Sequence, residues 1–294
     1  MTRDNRIEIS VIVPFYNEEH FIQRCIDSLL TQRDIDPAAF ELVFVDNNST
    51  DASAAIVSKH EQIRLVREQR RQVYTARNTA IEQAQGTILA FTDADCEVSE
   101  NWLASILGQF RSGTVDILLG EREFSEDASY MSQFMRDYEN LKIQFFLNSE
   151  DYKRCFGYTN NMAISKRVYD ELGGFRDDIP LADTDFILRY IEWSESPRIS
   201  YSRTTRINHL EIDSWCAWMR KLSLYGKESP KSEIPLYLSM TKQIGLYRYC
   251  LNERDYSLFK SALFVLTAVC ANAAFLVPYF LSGGAKRMFR DRSA

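Results

Sequence analysis

The first 120 residues alternate short apolar runs with segments that are apolar at helical spacing, and this alternation restricts the chain to a sheet flanked by helices. Residues 9–15 read as a buried strand. Phe21, Ile22, Cys25, Ile26, Leu29 and Leu30 then recur every three or four positions, as one face of a helix does. A second strand is expected over 40–45 and a turn over 47–50, where Ser49 or Thr50 is placed to cap a helix starting near Asp51. Residues 63–66 read as a third strand. The spacing then predicts a helix over 74–85, with Ala76, Ala80, Ile81 and Ala84 on one face, ending in a left-handed cap at Gly86. A strand over 87–92 runs into Asp93-Ala94-Asp95. Ser99 is positioned to cap a helix carrying Trp102, Leu103, Ile106, Leu107 and Phe110 on its buried stripe, and a strand over 115–120 follows.

From about Ser129 the rhythm changes to a long aromatic-rich helix with Tyr130, Phe134, Tyr138, Leu141 and Phe145 on one side. A Gly/Asn-rich stretch over 156–162, a turn at Gly173-Gly174-Phe175 and a helix over 182–193 come next. Residues 258–281 are the most apolar of the chain. With 294 residues, 45% of them hydrophobic, the chain is long enough for one large α/β domain, assigned to residues 1–230. A helical C-terminal region is expected over 231–294.

A formal charge of -6, with Lys and Arg spread along the chain, provides no basic field for nucleic acid. The six cysteines lie far apart, with no CxxC pair and no Cys/His spacing that suits zinc, so reduced thiols are expected. The polar stretch from Met1 to Ile9 has no secretory apolar core, which sets the expected location on the cytoplasmic side.

In open α/β sheets ligands bind beyond the carboxyl ends of the strands. Three such ends are polar here: Pro14-Phe15-Tyr16-Asn17-Glu18, Asp46-Asn47-Asn48-Ser49-Thr50-Asp51 and Asp93-Ala94-Asp95. No Gly-x-Gly-x-x-Gly follows the first strand and no Gly-Lys-Ser/Thr loop occurs, which argues against dinucleotide and P-loop sites. In an extended segment residues two apart project to one side, so Asp93 and Asp95 can face one ligand. Two carboxylates together with a pyrophosphate make a hard oxygen site for Mg2+ or Mn2+.

Together with Ala76-Arg77-Asn78, and with Gly173-Gly174-Phe175 ahead of Asp183-Thr184-Asp185, these segments make the chain resemble the family 2 glycosyltransferases over roughly residues 9–189. The resemblance implies an α/β GT-A fold, Rossmann-like, of the nucleotide-diphospho-sugar transferase type with a helical C-terminal extension. It implies transfer of a sugar from a nucleotide-diphosphate donor to a hydroxyl of a glycan or lipid-linked acceptor, with inversion. By the same resemblance Asp46 accepts a hydrogen bond from the base, Pro14, Tyr16 and Glu18 line the nucleotide pocket, Asp93 lies near the ribose, and Asp95 is the main metal ligand.

Arg77 is left with two partners, the pyrophosphate or a neighbouring carboxylate. His209 is either a third metal ligand or phosphate contact, or a structural histidine. The family's base falls among Asp183 and Asp185, followed by Arg189. Asp183 aligns with the usual base, although Ala182 departs from the acidic pair normal there, and Asp185 stands four residues before Arg189, at ion-pair spacing.

Two other functions compete: an Asp-dependent phosphotransferase or phosphatase built on Asp93 and Asp95, and an inactive membrane-associated binding protein of the same fold. The stretch 258–281 is long enough to cross a bilayer, yet it holds Thr267, Asn272 and Pro278. Its flanks are basic on both sides (Arg248, Arg254 and Lys260, then Lys286, Arg287, Arg290 and Arg292), which suits an interfacial or re-entrant helix; a core or dimer-forming helix is the alternative.

Overall fold

The structure is a computed structural model that describes residues 6–123, 130–149, 152–210, 215–228, 240–254, 256–279 and 281–282. Strands β1 (Ile9–Phe15), β2 (Phe40–Asp46), β3 (Ile63–Arg67) and β4 (Ile88–Phe91) come first, followed by β5 (Cys96–Val98), β6 (Ile117–Glu123), β7 (Met162–Ser165) and β8 (Ile199–His209). They form one sheet in the order β3-β2-β1-β4-β7-β6-β8-β5. β1 lies between β2 and β4 and β3 flanks β2, all parallel, so the carboxyl ends of four strands share one edge. β7 runs antiparallel to β4 and β6, while β8 is parallel to β6 across an irregularity at Gly120/Glu121. β5 is antiparallel to β8, with Cys96 opposite His209.

The helices of the sheet region are α1 (Ile22–Leu30), α2 (Ser53–Val57), α3 (Val73–Ile81) and α4 (Trp102–Arg111). After α5 (Tyr130–Asn148), two more follow, α6 (Lys166–Leu172) and α7 (Ala182–Trp193). Ile22, Cys25, Ile26 and Leu29 of α1 and Trp102, Leu103, Ile106 and Leu107 of α4 are buried in one cluster with Ile9, Val11, Val13 and Phe44, as their periodicity predicted.

The expected caps differ. α2 begins at Ser53, whose N–H and hydroxyl are held by Asp51 Oδ1, while Ser49 and Thr50 bond Asn17 instead. At α4 the amide of Leu103 is capped by Gln32 Oε1 (2.9 Å) from another segment; Ser99 contributes its carbonyl to the Trp102 N–H, with no bond from its hydroxyl. Gly86 is not left-handed. A Cβ there would meet Ser10 N at 2.5 Å, so close approach to β1 is what requires glycine.

The chain divides into two compact units of interrupted sequence: Met1–Glu123 with Phe156–Asp177 and Ala182–Glu211, and Phe124–Cys155 with Asp178–Leu181 and Ile212–Ala294. The aromatic-rich helix α5 thus groups with the C-terminal helices, and the boundary at 230/231 lies outside the described residues.

The second unit holds α5, α8 (Trp215–Glu228), α9 (Met240–Glu253) and α10 (Leu258–Tyr279). Of the predicted aromatic face, Phe134, Tyr138 and Leu141 are buried, and the side chain of Tyr130 lies outside the described residues. Gly226 lets α8 lie against the Phe275 carbonyl of α10. Asn272, mid-way along α10, donates to the hydroxyls of Tyr247 (2.8 Å) and Tyr138 (3.2 Å). Phe264, Thr267, Ala268 and Ala271 form the buried stripe of α10, whereas Phe259 (77%), Leu266 (58%), Val269 and Val277 are exposed. The segment Phe259–Tyr279 is long and apolar enough to cross a membrane by length and composition.

Candidate active site

The loops after β1 and β2 are laced together, and that lacing positions the first two polar strand ends. Asn17 takes φ 57°; its N–H donates to Ser49 Oγ (3.2 Å) and its Oδ1 accepts from the Thr50 N–H (2.8 Å). The Glu18 N–H donates to Ser53 Oγ (2.8 Å), and the Glu19 N–H to Asp51 Oδ2 (3.1 Å). Asp46 is buried at the end of β2, and its Oδ1 accepts from the Ser49 N–H (2.8 Å), closing the turn through left-handed Asn48 (φ 68°). Pro14 pairs in register with Val45. Tyr16 is 38% exposed and carries the Arg71 guanidinium 4.7 Å from its ring centre. Glu19 and Ser53 had no place in the sequence reading, and Asn17 entered it only as part of the polar stretch after β1. Their roles are backbone-directed bonds between loops some 30 residues apart, which no local pattern signals.

The third strand end is a turn rather than an extended run, closed by the Cys96 N–H on the Asp93 carbonyl (3.1 Å). The premise that alternation aims both aspartates one way therefore fails, and they take separate partners. Asp93 Oδ1 accepts from Arg77 Nη2 at 2.6 Å. Arg77 is buried on α3, with its guanidinium 5.4 Å from the Tyr74 ring centre.

Asp95 is only 7% exposed, and its Oδ2 lies 3.4 Å from Nε2 of buried His209, which β8 delivers beside β5. Cys96 Sγ is 3.5 Å from Asp95 Oδ1. Beneath them Cys25 donates its thiol to the Asp93 carbonyl (3.6 Å). Burial, and then the charges of Asp95, Asp93, Glu97 and Glu18, push that thiol well above its ordinary pKa. Those four carboxylates thus share one electrostatic neighbourhood.

Asp183 and Asp185 sit in the first turn of α7 but are held differently. Asp183 is 5% exposed; Oδ1 accepts from the Thr184 N–H (2.8 Å) and Oδ2 from the Thr159 N–H (3.3 Å). Burial raises its pKa, opposed by those two amides, by the charge of Arg77 and by the Tyr74 hydroxyl. Arg77 therefore acts on both Asp93 and Asp183. Asp185 instead pairs with Arg189 Nε (2.8 Å), whose two amino groups donate to the carbonyls of Leu172 (2.7 Å) and Gly174 (2.6 Å). Asn78 grips the same turn from α3, donating to the Phe175 carbonyl (2.7 Å) and accepting from the Phe175 N–H (3.2 Å) and the Tyr169 hydroxyl (2.6 Å). Gly173 and Gly174 both take positive φ there.

Residues 10–173, more than half of the chain, match the family model described as glycosyl transferase family 2. Glycosyltransferase AglE of Haloferax volcanii is 30% identical over 173 residues, which cover 57% of this chain and 55% of AglE, so the match spans about half the length of that relative. Among solved structures, the mannosyltransferase PcManGT of Pyrobaculum calidifontis, in complex with GDP-Man and Mn2+, is 19% identical with a TM-score of 0.63, covering 97% of this chain and 88% of its own. TarS 1-349 of S. aureus with UDP-GlcNAc is 18% identical with a TM-score of 0.54, covering 96% and 92%. At these identities the structural likeness speaks for the fold, which is GT-A with a helical C-terminal region. By the family match, the chain belongs to glycosyltransferase family 2.

Proposed function

We propose that this chain moves a sugar from a nucleotide-diphosphate donor to a hydroxyl of a glycan or lipid-linked acceptor, with inversion at the anomeric carbon. The single observation that carries the reading is electrostatic: Arg77 bonds Asp93 and acts on buried Asp183, so the third strand end and the start of α7 serve one centre. Family membership and the nucleotide sugars bound by PcManGT and TarS support the donor class. Asp46 is assigned to the donor base, with Pro14, Tyr16 and Glu18 lining the nucleotide pocket.

The carboxylate oxygens of Asp95 and Asp93 suit a hard divalent cation, Mg2+ or Mn2+, and His209 Nε2 lies 3.4 Å from Asp95 Oδ2 as a further donor. Asp95, with Asp93 and His209, would hold the ion. When bound, it supplies charge neutralisation for the diphosphate leaving group.

Asp183 takes the proton of the acceptor hydroxyl. Its raised pKa makes the carboxylate a better proton acceptor, and its two backbone donors fix its orientation. Asp185 is spent on Arg189 and shapes the Gly173-Gly174 turn rather than the proton transfer. Turnover with UDP-, GDP- and dTDP-sugars and Mn2+, in wild type and Asp183→Asn, tests the reading. A covalent phosphoryl group on Asp93 after incubation with a phosphate ester would move the chain to the phosphotransferase class.

The same reading places α10 on the cytoplasmic face of a membrane without crossing it. Support comes from its two unlike faces, one packed inside the helical unit and one apolar and open, and from the basic residues that flank it in sequence.

A further inference from the structure

We infer that Asn160 reads a hydroxyl of the transferred sugar, and so helps decide which nucleotide sugar the site accepts. The inference rests on the proposed function and deepens it by naming a residue for the sugar ring, which the assignments to base, diphosphate and acceptor leave untouched. Asn160 is buried (8% exposed), and its carbonyl Oδ1 has no hydrogen-bond partner among the described residues. A buried acceptor without a donor destabilises the fold, so such an atom beside a reaction centre marks where a ligand brings the missing donor.

The register of the sheet places it there. β7 begins at Met162, which pairs with Phe91 at the end of β4 and with Leu119 of β6. Because β7 runs antiparallel to β4, the 3-10 turn Thr159–Asn161 just before it lies where β4 runs out, beside the turn that carries Asp93. The preceding residue fixes the other side, since the Thr159 N–H donates to Asp183 Oδ2 (3.3 Å). Successive residues of a 3-10 turn point about 120° apart, so Asn160 does not follow Asn161, whose carboxamide is taken up by Trp102, Glu121 and Thr205. Arg77, bonded to Asp93 at 2.6 Å and acting on Asp183, brackets the same space.

In the proposed reaction Asp93 belongs to the ion and the diphosphate, and Asp183 to the acceptor hydroxyl. The transferred sugar has to lie between them. An acceptor oxygen at that place pairs with a group that donates, which on a neutral sugar ring is a hydroxyl, and not with a carboxylate or a deoxy carbon. A site built around such a bond rejects the analogue that lacks it. The sequence showed only a Gly/Asn-rich stretch over 156–162, in which Asn160 and Asn161 look alike.

The test is calorimetric titration of the full chain with Mn2+, using UDP-glucose, UDP-N-acetylglucosamine, GDP-mannose and dTDP-glucose beside the bare diphosphates UDP, GDP and dTDP. The sugar conjugate that wild type binds most tightly should bind Asn160→Ala about tenfold more weakly, whereas the matching bare diphosphate should bind both alike. Monodeoxy forms of that conjugate identify the hydroxyl. One of them should bind wild type and Asn160→Ala equally, because its half of the pair is already gone.

Asn160→Leu keeps the volume but offers no acceptor. It should show the same tenfold loss and be no less stable in urea than wild type, since it removes an unpaired buried carbonyl. Unchanged affinity of both variants for the preferred conjugate overturns the inference, and so does an equal loss for the bare diphosphate. Lower stability in both variants would make Asn160 a structural residue and overturn it too. A wild-type chain that binds none of the sugar conjugates sinks the proposed function together with this inference, whereas normal donor binding by the variants sinks this inference alone.

Discussion

Two carboxylates two residues apart in α7 are given opposite tasks by their surroundings. Asp183 is buried against two amides, and Asp185 is tied to an arginine. Asp183→Asn keeps size but accepts no proton, and it leaves only one acceptor for the two backbone N–H groups that Asp183 receives. Transfer should fall by about two to four orders of magnitude with donor affinity retained, as single-turnover kinetics and nucleotide titration would read. The pH profile carries a sign. The raised pKa of Asp183 means that the base is protonated, and transfer slow, below a value higher than that of an ordinary carboxylate, so the rate rises with pH through that value. Asp185→Asn should leave that limb in place and lower transfer by less than Asp183→Asn does. A dead Asp185→Asn enzyme beside a working Asp183→Asn enzyme would reverse the assignment. The ion-pair spacing of Asp185 and Arg189 was legible in the sequence because a helix repeats locally. The partner of Arg77 was not, since its bond to Asp93 joins α3 to the turn after β4.

At the scale of elements, strands with long apolar runs were readable, and β1 spans the residues its hydrophobicity predicted. The missed strands lack that signal: β5 has three residues, β7 has four, and β8 carries Ser, Arg, Thr and Asn along its length. Their places depend on partners across the sheet, and one side chain shows how. Asn161 accepts from Trp102 Nε1 (2.9 Å) and donates to the carbonyls of Glu121 (2.8 Å) and Thr205 (2.9 Å), joining α4, β6 and β8 from a buried position. Asn161→Ala would strand three partners, two of them buried, so a loss of about 3 kcal/mol is expected in urea unfolding. A loss under about 1 kcal/mol would show that water replaces the amide.

Glu68 does similar work between β3 and α3, accepting from Arg70 and from the Thr79 hydroxyl (2.7 Å). Its bonds to Arg70, then to Thr79, lower its pKa from 4.5 to about 2. A depressed carboxylate stabilises the fold above its unfolded value and loses that contribution as pH falls through the folded one. Glu68→Gln should therefore flatten the stability profile between pH 4.5 and about 2, and an unchanged acid limb would refute the role.

For the molecule as a whole, composition located the apolar C-terminal helix, but the two compact units are built from interleaved stretches that no single cut in sequence describes. Within the second unit α10 is two-faced. Asn272 is bonded by Tyr138 and Tyr247, so a polar residue that looked costly in an apolar run is satisfied by neighbouring helices. The opposite face exposes Phe259, Leu266, Val269 and Val277, whose spacings of 7, 3 and 8 keep them on one side of the helix. The Lys286 to Arg292 flank lies outside the described residues, but its charge is part of the sequence. A basic-flanked apolar stripe fits an anionic lipid surface, where each large side chain that enters the interface contributes about 1.5 kcal/mol or more.

Leu266→Glu with Val269→Glu removes two such side chains from an exposed face, so the fold should stand while vesicle binding falls by about 100-fold. Co-sedimentation with vesicles containing phosphatidylglycerol reads the partition, and circular dichroism checks the fold. Ala268→Glu, on the buried stripe, should instead unfold the helical unit, because a charge there has no partner designed for it. Equal binding by the double variant and wild type would remove the membrane from the account. A lipid-free dimer that the double variant abolishes would give the face to a second copy of the chain instead.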